Sequence, residues 1–176
     1  MIRSIDGKRP KIHPSAFISE TAYIVGDVEI GEGTSVWPGA VIRGDYGKII
    51  IGKNCSIQDN CVLHTDDFLE FGDNVLMTHG AVVHGGRVGN NVLIGLNSVL
   101  LEDAHVGNYC LIGACAVVRT GARIPDRSLI VGVPGEVKPL TEQQAKRLED
   151  PTAGYVRNGR RFIAAGLGLQ IPVEPE

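Results

Sequence analysis

Three histidines, His64, His79 and His84, fall within twenty-one residues of one another. Neutral imidazole is a preferred ligand for zinc and related divalent ions. Three such ligands leave one tetrahedral position for water, which is the arrangement of a catalytic zinc and not of a closed structural one. An ion held that way lowers the pKa of its water from about 15.7 to about 7, so that a nucleophile is available at neutral pH. The other histidines, His13 and His105, are expected at the surface without partners. The four cysteines, Cys55, Cys61, Cys110 and Cys115, contain no CxxC spacing, which excludes a cysteine zinc knuckle or a redox pair. The run Gly85-Gly86-Arg87-Val88-Gly89 does not open a helix after a strand, so it lacks the context of a phosphate cradle.

Whether the histidines can converge depends on the elements that carry them. Twenty apolar residues recur at a six-residue beat: Ile12, Ile18, Ile24, Ile30, Val36 and Ile42, then Ile51, Ile57 and Leu63, then Phe71, Met77 and Val83, then Val88 and every sixth residue to Ile130. That period fits neither a helix nor a hairpin and marks a parallel β-helix of hexapeptide repeats. Three units make one coil, so twenty units make nearly seven coils, each burying its beat residues against the next. Leu63 and Val83 lie one coil apart, so His64 and His84, which follow them directly, stack roughly 5 Å apart. Arg43, which follows Ile42, occupies the same corner one coil below.

His79 lies two places after Met77, on another face of the prism, above Asp59 and beside Gln58 and Trp37. Within one chain it does not reach an ion held by His64 and His84. A threefold arrangement of chains brings the His79 face of one subunit against the His64 and His84 corner of the next, and so predicts a homotrimer with a metal at each interface. Asp45, just past Arg43, is placed to bond across that chain boundary.

The lattice divides the chain into an N-terminal entry strand or arm (1–11), a repeat region (12–135) and a helical tail (136–176). Seven units place glycine directly after the beat residue, where a corner calls for positive φ or close backbone approach. Cys55, Cys61 and Cys110 fall in a column of small or β-branched residues and read as buried fillers. In the tail, Thr141 to Gln144 has the form of a capping box opening a helix over 141–149. Pro151 suits the first turn of a second helix ending near 164. Leu148, Tyr155, Val156, Phe162 and Ile163 are the residues to pack this tail on the coils or a neighbour, and Leu167 to Glu176 is expected to be loose. A net charge of −3 without a basic stripe argues against nucleic acid. No apolar stretch approaches a membrane span and Met1 to Lys11 lacks the apolar core of a secretory signal, so the expected location is cytoplasmic.

Three blocks, Val41-Ile42-Arg43-Gly44-Asp45, Ser56 through His64 (SIQDNCVLH) and Thr78 through Gly85 (THGAVVHG), together resemble the γ-class carbonic anhydrase family. The resemblance implies a left-handed β-helix, a homotrimer and a zinc ion, or iron or cobalt, at each interface. It implies that His64 and His84 come from one subunit and His79 from its neighbour, and that the reaction is reversible hydration of CO2 to bicarbonate. Arg43 and Asp45 resemble the family's intersubunit salt bridge, and Gln58 the residue that orients the metal-bound hydroxide. Asp59 resembles an acid at the same interface, and Tyr155 an active-site tyrosine. The near-neutral water pKa quoted above is the one known for a zinc carbonic anhydrase, so it lends the resemblance no independent support. The chain departs from the pattern at the proton-shuttle glutamates: Tyr46 stands in one position, and the acidic loop is reduced to Thr65-Asp66-Asp67, where Asp66 or Asp67 either substitutes as the shuttle or is simply a solvated turn residue. Two other functions remain open. One is a coenzyme A-dependent acyltransferase or thioesterase, which needs a histidine base free of metal. The other is a non-catalytic metal-binding trimer or assembly subunit.

Overall fold

The computed structural model describes residues 1–171, and in it the chain winds as a parallel β-solenoid of about 7 turns followed by a short helical tail. One face is a stack of short strands, Phe17–Ile18, Ser35–Val36, Ser56–Ile57, Leu76–Met77, Leu93–Ile94, Leu111–Ile112 and Ser128–Val131. The other two faces merge into one sheet where Tyr23–Ile30, Val41–Ile51, Val62–Phe71 and Val82–Val88 run on around a corner.

The six-residue beat builds this core. Every beat residue is buried except Ile12, which packs partly buried against the rest. The small-residue column is buried too, with Cys55, Cys61 and Cys110 each 0% exposed, because a narrow prism leaves room only for short side chains at its corners. Burial pushes the Cys55 thiol up to about 12 and the Cys61 thiol to about 11. Cys115, one place earlier in its unit, is exposed.

The corners divide two tasks that the sequence reading assigned to one position. Glycines directly after the beat residue do not take positive φ. At Gly52 an added Cβ would sit 2.5 Å from the Gly72 carbonyl oxygen, so close approach of adjacent coils is what demands glycine there. The left-handed residues lie two places further on, where Asn54, Asn60, Asn74, Asn91 and Asn97 all have φ between 53° and 59°. Asparagine tolerates that region because its short side chain can bond locally.

Irregular coils shape the corner after Arg43, His64 and His84. Residues are added after Arg43 and after His64 and one is lost after His84, and the pairing register shifts between Arg43 and Lys48 and between His84 and Gly86. The bulge after Arg43 is tied down where Lys48 Nζ donates to Glu29 Oε1 at 2.8 Å on the preceding coil. The hydrogen bond from Lys48 holds the Glu29 carboxyl below its usual range, against an opposing contribution from burial.

At the N-terminus the segment is an entry strand, since Ile2–Arg3 and Lys11–Ile12 each pair with Tyr23–Ile30. Beyond Val131 the strand Glu136–Pro139 returns antiparallel to Ser128–Val131 and covers the last coil's open edge. Helix α1 spans Glu142–Arg147 with the expected Thr141–Gln144 capping box, ending earlier than 149. Helix α2 spans Ala153–Ala164, so Pro151 precedes the helix, which Thr152 begins. The tail runs back down the solenoid: Asn91 Nδ2 donates to the carbonyls of Leu148 and Glu149 at 2.9 and 3.0 Å, and Phe162 packs on Phe17 and Trp37 with ring centroids 5.4 and 5.2 Å away. Leu148 is fully buried, but Ile163 is 42% exposed and does not help seat the tail. Leu167 to Ile171 is not loose, because Leu169 N–H donates to the Ile18 carbonyl at 2.8 Å and Ile171 packs on the core; the rest of that expected loose stretch, 172–176, lies outside the described residues.

Two expectations follow. In the native protein one thiol, Cys115, reacts quickly with a chromogenic disulfide reagent at pH 8, and all four react after denaturation. Glu29→Gln lowers stability by about 0.5 kcal/mol at pH 7, because both partners are more than a third exposed and screened. The folded carboxyl has the lower pKa, so its contribution is complete above the unfolded value of about 4.3 and is lost as pH falls through the folded value. Urea midpoints of the two proteins should therefore converge as pH falls through that folded value.

Candidate metal centre

His64 and His84 are placed by strand alternation. Leu63 and Val83 are fully buried, so the pleat turns their neighbours outward. The two strands pair in parallel with His84 directly opposite His64, and Arg43 opposite His64 on the other side. The expected stack of Arg43, His64 and His84 is therefore present. The imidazole centroids lie 5.0 Å apart with planes at 60°.

The ring nitrogens have specific partners. His64 Nε2 faces Asp45 Oδ1 at 3.1 Å, and His84 Nδ1 faces Glu102 Oε1 at 3.1 Å. The Glu102 contact is bent away from hydrogen-bond geometry, and His84 Nδ1 has no other partner among the described residues. A carboxylate accepts, so Asp45 assigns the His64 proton to Nε2, while the Glu102 charge beside His84 Nδ1 favours a proton there without a formed hydrogen bond. With those tautomers the inner nitrogens, His64 Nδ1 and His84 Nε2, present lone pairs to each other at 3.0 Å; with the His84 proton on Nε2 instead, the same contact is a hydrogen bond donated to His64 Nδ1. Two lone pairs at that distance repel unless a cation lies between them. Zinc bound to both at 2.0–2.1 Å would separate them by about 3.3 Å. Carboxylates on the outer nitrogens are also the usual support of metal-ligating histidines. The residues fit a zinc-type ion.

Asp45 joins this group from within the chain. Arg43 Nη1 donates to its Oδ2 at 2.5 Å while its Oδ1 faces His64. Within the chain, the bulge after Arg43 folds Asp45 back over its own strand. Burial opposes the charge on Asp45, but the Arg43 hydrogen bond, its own backbone N–H, the Arg43 charge and His64 together hold its carboxyl below the ordinary value.

His79 stands apart, as the unit count requires. Its ring is 54% exposed, and Nδ1 lies 2.9 Å from Asp59 Oδ2, which leaves Nε2 turned outward. Gln58 is buried beside Asp59, and its Nε2 has no hydrogen-bond partner among the described residues. Tyr155 packs edge-on against Trp37 with centroids 6.3 Å apart, on the face that carries Gln58 and away from the His64 and His84 corner of its own chain. Tyr46 is 72% exposed.

Glu102 was not foreseen at the site, and the sequence offers Asp66 as a proton shuttle but not as a member of the donor group. Glu102 lies beyond the end of the paired strand Val99–Leu100, so the lattice gives no rule for where its side chain turns. Its own backbone N–H, most of all, and then His84 and Thr120 keep its carboxyl below the usual range despite some desolvation. Asp66 completes, with His64 and His84, a group whose donor atoms all lie within 4.8 Å of one another. Thr65, Asp66 and Asp67 are not a turn; they belong to the strand Val62–Phe71, with Thr65 buried and Asp66 exposed. A pocket of about 380 Å³ opens beside this group, lined by Asp66, Asp67, His84, Glu102, Asp103 and His105. His13 and His105 both have partners, contrary to expectation: His13 Nδ1 meets Ser15 Oγ at 2.8 Å and His105 Nε2 meets Asp103 Oδ1 at 3.2 Å.

Comparison with known proteins places the fold. The description "Bacterial transferase hexapeptide (six repeats)" matches residues 9–44 and 85–120. A "Probable carbonic anhydrase" of Methanocaldococcus jannaschii is 48% identical over 143 residues, covering 80% of this chain and 90% of that protein. The chain belongs to the hexapeptide-repeat family. Within it, the carnitine operon protein CaiE of Escherichia coli K12 is 37% identical over 135 residues, 74% of this chain and 68% of CaiE. Among solved structures of the family, a hexapeptide transferase family protein from Anaplasma phagocytophilum superposes with a TM-score of 0.89 at 31% identity, covering 92% of this chain and 98% of that one. No helix among the described residues is long and apolar enough to cross a membrane.

If the outer carboxylate sets the tautomer of His84, Glu102→Ala weakens zinc binding by about 10-fold or more without a matching loss of stability. Competition with a chromogenic chelator, alongside a thermal melt of the metal-free protein, measures both.

Proposed function

We propose that this chain is a cytoplasmic, γ-type carbonic anhydrase-like lyase that hydrates CO2 reversibly to bicarbonate as a homotrimer. His64 and His84 of one protomer and His79 of a second hold a divalent ion, zinc or in its place iron or cobalt. The observation that carries this reading is the pair of inner nitrogens facing each other at 3.0 Å, each imidazole backed by a carboxylate. The 48% identity to a probable carbonic anhydrase supports it. When bound, the ion supplies a Lewis acid that makes water nucleophilic near neutral pH.

The chain's own groups supply positioning. Asp45, itself fixed by Arg43, holds the proton of His64 on Nε2 and so directs Nδ1 inward. Asp59 does the same for His79, leaving Nε2 free to reach a neighbouring subunit. Gln58 brings a buried amide N–H with no other partner to the His79 face, where it orients an oxygen at the joint site. Tyr155 closes that face by packing on Trp37. Asp66 and Asp67, exposed at the mouth of the pocket, accept the proton released in hydration.

A second reading has its own observation. His105 is oriented by Asp103 and, with Arg87 and Arg123, lines a groove of about 660 Å³. An oriented imidazole free of metal is what acyl transfer from coenzyme A requires, and relatives described as transferases share the fold. A thermal shift with acyl-coenzyme A but not with zinc would favour it.

Stopped-flow CO2 hydration by zinc- and iron-loaded protein should exceed that of His84→Ala, which falls to the uncatalysed background. Equal rates reject the lyase reading. Metal uptake in a trimer that turns over no faster than that variant would instead identify a non-catalytic metal-binding trimer or assembly subunit.

A further inference from the structure

His79 is missing from the group of donors that one chain brings together, and Asp66 is present in it. We infer that Asp66 is a third metal ligand used by the single protomer, holding the ion with His64 and His84 until His79 of a second copy replaces it on assembly. This rests on the metal-binding reading above, and goes beyond it by giving the ion a site before the interface exists.

The donor set supports the assignment. Two imidazoles and a carboxylate form a complete three-ligand set for zinc, and the same set with open positions suits iron(II). One donor atom from each of the three residues lies within 4.8 Å of the others; the ring nitrogen that Asp66 faces at 3.9 Å is His64 Nε2, which Asp45 also faces, so Asp66 reaches an ion on the inner nitrogens by changing rotamer. The backbone beside it is fixed, since Thr65 is buried and its Oγ1 accepts the Asp67 N–H at 3.1 Å. The side chain itself is 72% exposed, and its carboxylate makes no hydrogen bond among the described residues. It can therefore turn onto an ion for the cost of its own rotamer freedom and turn away again without breaking a network.

Exchange for His79 is favourable for a different reason. The Asp59 carboxylate lies 2.9 Å from His79 Nδ1 and favours a proton there, which leaves Nε2 as the acceptor and reduces what must be ordered on binding. A mobile carboxylate then yields to a fixed imidazole. Because the ion binds more tightly where two chains meet than on one, linkage requires that it favour the trimer by the same factor. Capture by Asp66 thus makes the ion a template for assembly and not a late addition to a finished interface.

The test is a double-mutant cycle read by cobalt(II) titration, with visible absorption for ligation and sedimentation for assembly. Both residues are exposed, and thermal melts of the metal-free variants check that each folds. His79→Ala should retain one cobalt per chain, bound more weakly and without the native trimer. Adding Asp66→Ala to it should weaken binding by a further 10-fold or more, about the least expected for a lost partner. Adding Asp67→Ala instead removes the same charge next door and should leave binding within about 2-fold, as surface charge alone contributes little. In the native background Asp66→Ala should change equilibrium affinity by less than about 2-fold, since His79 has taken its place. Cobalt affinity of His79→Ala that is the same with and without Asp66 overturns the inference, as does an equal Asp66→Ala loss in both backgrounds. If the unmodified protein binds no cobalt, the metal-centre reading fails and this inference falls with it; the two failures are thereby told apart.

Discussion

Coil-on-coil burial of the beat residues is the interaction on which everything else in this protein depends. Leu63 and Val83 are both fully buried one above the other, and parallel pairing admits no slip that would keep them so. A shift of one residue would turn the apolar side chains out and the polar ones in. His64 and His84 are therefore stacked by hydrophobic burial, before either makes a polar contact. The same burial puts Met77 in the core and His79 on a different face of the prism. Convergence of two histidines and separation of the third are one consequence of a single lattice.

On that scaffold electrostatics decide which way each ring points. Asp45, Glu102 and Asp59 stand at the outer nitrogen of His64, His84 and His79 respectively. Each arrives by a different route: a bulge that folds back on its own strand, a residue past the end of a strand, and the coil directly beneath. What they share is a carboxylate against one nitrogen, which leaves the other as an acceptor. The lengthened coils matter for the same reason. Regular hexapeptides would carry the chain straight around the corner, whereas the added residues after Arg43 and His64 lift Asp45 and Asp66 over the imidazoles.

The tail is coupled to this arrangement through packing. It runs from the last coil back to the first, anchored at Asn91 and seated on Phe17 and Trp37. Trp37 is the residue on which Tyr155 rests, and Gln58 lies above it on the same face. The face that carries His79 is thus partly built by the tail, and the face that carries His64 and His84 is not.

Much of this was legible in the sequence, because a periodic fold repeats its instructions. The beat alone determines which side chains are buried, which coils adjoin and which histidines stack, since each follows from counting in sixes. The capping box at Thr141 was legible for a similar reason, being a local pattern with one geometry. What counting could not supply lies where the period breaks. The outward turn of Glu102, the folding of Asp45 onto its own chain and the placement of Asp66 beside two imidazoles all occur at residues without a paired neighbour. There no ladder of hydrogen bonds dictates direction, and only the packed structure decides where a side chain comes to rest. The division of the corners into close-approach glycines and left-handed asparagines also needed the structure, because glycine satisfies both demands and its presence does not say which one applies.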